Sequence, residues 1–177
     1  MAAARGTGQR GTAQRSPAQR SARRSSQKSP GEDFRTVEPA ALMLLRGPED
    51  YVATRALDRI KAGLREKHPD LEYTRLDVGE ASPGELLRLA SPSLFGEARL
   101  ILAEDLAHTN DTFLTEALTY LDDVVEDVTL VVRHTGGNRG KRLLDAMSAR
   151  AVVVDCAAAK TDTDKMDFLR REFRAAG

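Results

Sequence analysis

The chain reads as a three-layer α/β domain, a parallel sheet with helices on both faces, and three observations predict it. Five short apolar or β-branched runs recur at residues 42–45, 73–78, 99–103, 129–132 and 151–154. The segments between them place apolar residues at helical spacing instead. Successive runs start roughly 22 to 31 residues apart, which leaves room for one helix and two turns between strands, as repeated βαβ units require.

The elements follow in order. Leu42-Met43-Leu44-Leu45 is the first strand, and Val52, Ala56, Ile60 and Leu64 then recur every four residues as one face of a helix. The run at 73–78 is the second strand. Ser82-Pro83-Gly84-Glu85 supplies an N-cap serine, a proline at the first helical position and a capping-box glutamate for a helix carrying Leu86, Leu87 and Leu89. Pro92 should end it. After the third strand, Phe113, Leu114, Ala117, Leu118, Leu121, Val124 and Val125 form a wide apolar stripe. Leu143, Leu144 and Met147 form a shorter one between the fourth and fifth strands. Residues 164–176 put Met166, Leu169, Phe173 and Ala176 on one face, a helix whose apolar side nothing later in the sequence covers.

With 177 residues, 41% of them hydrophobic, one sizeable core is affordable and a multi-domain machine is excluded. Basic and acidic residues both total 27, yet the balance is uneven along the chain. Arg5, Arg10, Arg15, Arg20, Arg23, Arg24 and Lys28 precede Gly31 with no acid among them, leaving 20 basic against 27 acidic residues afterwards. A cationic tail is therefore joined to an acidic body. Residues 1–33 contain no Leu, Ile or Val, so little apolar burial offsets the entropy of ordering them, and a disordered basic tail over 1–36 is expected. An Arg- and Ser-rich leader also fits an organellar transit peptide, but there is no apolar face at helical spacing. A solvated tail that touches polyanions weakly is the better account. The excess of Arg over Lys, 21 to 6, fits a GC-rich bacterial genome.

One cysteine, Cys156, can make no internal disulfide, and His68, His108 and His134 are too scattered for metal-ligand spacing. Neither a membrane span nor a secretory signal is present in the pattern, and a cytoplasmic location is expected. Open parallel sheets bind ligands at the carboxyl ends of their strands, so catalytic chemistry would be expected in those loops. After the first strand comes Arg46-Gly47-Pro48-Glu49-Asp50. A phosphate-binding loop needs free backbone N–H groups and a lysine; here a proline lacks the N–H and two carboxylates would repel phosphate. Glu104 and Asp105 close the third strand like the acidic pair of an ATPase, without a phosphate loop to serve. Gly136-Gly137-Asn138-Arg139-Gly140-Lys141-Arg142 misses two required positions of the same motif, at Thr135 and Arg142, although its cations could touch a phosphate backbone or an acidic partner. Cys156 reads as a residue at the core edge. No catalytic residue, cofactor or metal is expected. What remains is Pro92-Ser93-Leu94-Phe95-Gly96, whose adjacent bulky residues either tuck into the core or form an exposed hydrophobic anchor for a partner.

Residues 42–49 (LMLLRGPE), 91–104 (SPSLFGEARLILAE), 129–134 (TLVVRH) and 151–156 (AVVVDC), in that order, resemble the N-terminal domain of the delta subunit of bacterial DNA polymerase III, part of its clamp loader. The likeness covers about residues 40–175 and implies an AAA+-like fold with a degenerate nucleotide site over 37–160, with the start of a truncated helical lid domain at 161–177. It implies a non-catalytic subunit of a DNA polymerase (nucleotidyltransferase) holoenzyme in DNA replication. Such a subunit binds the ring-shaped sliding clamp through a Leu-Phe pair and helps open it. Carried over, the clamp-binding residues are Pro92, Ser93, Leu94 and Phe95. Some relatives have glutamine where this chain has Ala90, so the hydrophobic part of the anchor is the part retained. The implied partners are the clamp, the other loader subunits if a C-terminal domain exists, and DNA through weak or indirect contact, in the nucleoid-associated cytoplasm. The competing readings are a P-loop-like NTPase using Glu104 and Asp105 and a DNA-binding accessory protein driven by its basic tail.

Overall fold

The computed structural model describes residues 31–93 and 96–157, together with Met166, Arg170, Phe173 and Arg174. The tail over 1–30, Leu94 and Phe95, and most of the expected lid segment lie outside the described residues. The four late residues named are helical, with Met166 and Phe173 exposed.

Five strands form one sheet: β1 (Leu42–Arg46), β2 (Glu72–Asp77), β3 (Arg99–Glu104), β4 (Val128–His134) and β5 (Val152–Asp155). Their spatial order is β2-β3-β4-β1-β5 and every pairing is parallel. Between them run α1 (Asp50–Lys67), α2 (Glu85–Leu89), α3 (Asp111–Tyr120) and α4 (Lys141–Arg150), with a 3-10 turn at Leu106–His108. The expected α/β class holds. β4 is buried along its whole length because it lies inside the sheet with both faces covered; in β2, at the edge, only Leu76 is buried.

Strand alternation sorts the core into two layers. On one face Leu44, Ile101, Leu130 and Val132 pack with Leu86 of α2, Phe113 and Ala117 of α3, and Leu143 and Met147 of α4. On the other, Met43, Leu45, Leu100, Leu102 and Val131 meet Val52, Ala56, Ile60 and Leu64 of α1. Ala56 and Ile60 are wholly buried, so the four-residue repeat in the sequence is the contact face of α1.

Three local expectations are corrected. The tail boundary at residue 36 falls too late, because residues 31–36 join the body. The Glu32 N–H donates to the Val153 carbonyl at 2.7 Å, and Phe34 and Val37 are buried in the α1-side layer. Composition hid this because a single aromatic anchors the segment, which also covers part of the open edge of β5. Second, α3 ends at Tyr120, although Leu121, Val124 and Val125 still pack on the core from the turn that follows. Third, only half of the capping box forms. The Glu85 carboxylate accepts from the Ser82 N–H at 2.8 Å, but residues 82–84 form a turn and the helix starts after Gly84 in the left-handed conformation. Glu116, reaching across from α3, accepts instead from the N–H groups of Gly84 and Leu86. No helix among the described residues is long and apolar enough to cross a membrane.

Candidate functional site

The turn after β1 is closed by its own chain. The Gly47 N–H donates to the His134 carbonyl and the Glu49 N–H to the Cys156 carbonyl, both at 2.9 Å, and Pro48 has no N–H to offer. Two amides that could have faced a phosphate are thus spent on the ends of β4 and β5. Gly47 is held at a φ of +136°, and a Cβ there would lie 2.3 Å from the backbone of Cys156, so only glycine fits beneath that strand end. Arg133 completes the closure. Its side chain is 9% exposed, and the guanidinium donates to the Gly47 carbonyl at 2.5 Å and to Asp50 Oδ1 at 2.9 Å. Sequence inspection missed Arg133, whose one visible signal is a cation ending an otherwise apolar strand.

The other candidates are drawn into separate local partnerships. Glu104 accepts two hydrogen bonds from Arg75 on neighbouring β2, at 2.6 and 2.8 Å. Asp105, with φ +59°, pairs with His108 Nδ1 at 2.6 Å. The acids proposed as an ATPase pair therefore turn to different partners. In the glycine-rich stretch, Arg139 donates to the Thr109 carbonyl and to Asp111 at the start of α3, and Lys141 pairs with Asp145. Those two cations are engaged within the fold. Cys156 is fully buried, and burial pushes its thiol up to about 11. His134 is 3% exposed, and neither ring nitrogen has a hydrogen-bond partner among the described residues. Burial first, then Arg46 and Arg133, holds its pKa below the ordinary imidazole value.

The loop between α2 and β3 carries the candidate anchor. Leu86 of α2 is wholly buried and Leu87 is 41% exposed, so one of two adjacent leucines secures the helix and the other faces out. Ala90 is buried, Ser91 and Pro92 are exposed, Ser93 is half-buried, and Gly96 turns the chain with a φ of +72°. Ser91 Oγ donates to the Leu87 carbonyl at 2.8 Å and Ser93 Oγ to Glu97 at 3.1 Å. Of the four residues expected to bind a clamp, Pro92 is exposed and Ser93 is half-buried. Leu94 and Phe95 lie outside the described residues.

Fold and turn together define a class: a parallel three-layer α/β domain whose first strand-to-helix turn is filled by its own backbone and an arginine. Among solved structures, the chain is similar to the DNA clamp loader delta protein YqeN of Bacillus subtilis, with a TM-score of 0.58 and 16% sequence identity. The similarity covers 73% of this chain and 42% of that one, and at this identity it is a likeness of fold. No protein-family model matches the chain, and no curated protein matches it by sequence.

Proposed function

We propose that the chain is a delta-type clamp-loader subunit that binds the sliding clamp of a bacterial replicase and helps open it. Supporting this is the conjunction of a fold similar to a clamp-loader delta protein with a first turn whose amides are already spent. A subunit that grips a partner needs the sheet as a rigid scaffold and has no use for the nucleotide. The anchor is Leu94 and Phe95, flanked by Pro92 and Ser93. Burying two such side chains in a partner's pocket is worth about 3 to 6 kcal/mol before association costs, so further contacts must contribute. In this reading the protein is a non-catalytic part of the polymerase holoenzyme, meets other loader subunits if a C-terminal domain exists, and touches DNA weakly or indirectly.

The test is capture of purified sliding clamp by the full chain and by the double substitution Leu94→Ala, Phe95→Ala. The double variant should lose the clamp while keeping the wild-type melting temperature. A fall in melting temperature of many degrees would make the pair core residues. Magnesium-dependent ATP binding in equilibrium dialysis would overturn the reading in favour of an NTPase.

A further inference from the structure

Arg99, the first residue of β3, ties the beginning of the anchor loop to the sheet. Its Nη1 donates to the Ser91 carbonyl at 2.6 Å and to the Leu89 carbonyl at 3.4 Å. Its Nε donates to Glu72 Oε2 at 2.7 Å, and Glu72 opens the neighbouring edge strand β2. Leu89 is the last residue of α2, a helix of five residues that cannot sustain itself by its own hydrogen bonds. A guanidinium at its carboxyl end satisfies carbonyls that have no partner within the helix and meets the negative end of its dipole.

The far side of the loop returns to the same corner. The Glu72 N–H donates to the Ala98 carbonyl at 3.0 Å, and Ala98 is buried. Glu72 thus holds one end of the loop through its backbone and the other through its carboxylate and Arg99. The side chain of Arg99 is 24% exposed, so this junction is partly shielded from solvent screening.

We propose that Arg99, oriented by Glu72, is a positioning residue for partner binding: it fixes the carbonyls of Leu89 and Ser91 so that the chain leaves α2 through Ser91 and Pro92 in one direction. This rests on the reading that the loop binds a sliding clamp. A segment whose entry is held before binding has less conformational freedom to lose on binding, and affinity rises accordingly.

The experiment measures clamp affinity and amide hydrogen exchange in parallel for the full-length wild-type chain, Arg99→Met, Arg99→Lys, Glu72→Gln and the Leu94→Ala, Phe95→Ala pair. Arg99→Met should weaken clamp binding by about 10-fold, the scale of freezing one or two loop residues. It should also speed exchange of the Ala90 and Ser91 amides, which bond to the Leu86 and Arg88 carbonyls, while β4 amides keep their wild-type protection. Arg99→Lys should fall between, because an ammonium can serve one carbonyl but not hold the planar set. Glu72→Gln should move in the same direction by less. Unchanged exchange at Ala90 and Ser91 in Arg99→Met overturns the proposal, as does unchanged affinity where the Leu94, Phe95 variant has lost binding. If the wild-type chain itself fails to bind the clamp, the proposed function falls, and the exchange data still decide whether Arg99 positions the loop.

Discussion

Replacing Arg133 with methionine tests whether the turn after β1 is locked by a guanidinium. Methionine keeps most of the apolar stem, so the packing loss is small, and what disappears is the pair of hydrogen bonds to Gly47 and Asp50. The bond to the Gly47 carbonyl comes from a charged donor that is 9% exposed, and such bonds contribute about 1.5 to 3 kcal/mol. Asp50 is 90% exposed, so its ion pair is screened and adds about 0 to 1 kcal/mol. The expected loss is about 2 kcal/mol, or roughly 6 to 8 °C in melting temperature for a domain of this size. Urea denaturation followed by circular dichroism measures it directly, with Asp50→Asn alongside as the smaller perturbation, expected to cost less than about 1 kcal/mol. If Arg133→Met cost under about 0.5 kcal/mol, or no more than Asp50→Asn, the Gly47 carbonyl would not be the main partner and the locked turn would be refuted.

Two further outcomes follow from the buried groups at the same end of the sheet. His134 has a folded pKa below its ordinary value, so its stabilising effect is complete above the unfolded value of about 6.5 and declines as pH falls through that value toward the folded one. His134→Gln should flatten the pH dependence of urea stability below about pH 6.5, and superimposable profiles would refute the assignment. Cys156, buried and pushed up to about 11, should resist an aromatic disulfide reagent at pH 8 until the chain unfolds. Its labelling should follow the urea unfolding curve; rapid labelling of the native protein would show that the end of β5 opens locally.

The pattern of residues was sufficient for the position of every strand and for the faces that α1, α3 and α4 bury. Those features depend on side-chain periodicity, which a chain displays whether or not it is folded: Val52, Ala56, Ile60 and Leu64 mark the buried side of α1 in either state. The degeneracy of the Gly47 turn was legible for the same reason, since a missing proline N–H and two local carboxylates are properties of the sequence itself. The end of α2 before Pro92 was legible as well, since a proline cannot continue a helix.

Long-range partners were not legible. Arg133 meets a turn 86 residues away, Arg99 joins Glu72 27 residues earlier, and Glu116 caps a helix 30 residues before it. Nothing in the local pattern distinguishes these charged residues from solvated ones, because their partners become neighbours only when parallel strands pair in the order β2-β3-β4-β1-β5. Residues 31–36 make the same point, since Phe34 acquires its buried site only once β5 has taken its place beside β1. Periodicity, a local property, marked the apolar faces of the strands and of α1, α3 and α4. Strand order, a property of the whole chain, decided which charges close the first turn and which hold the loop proposed to grip a partner.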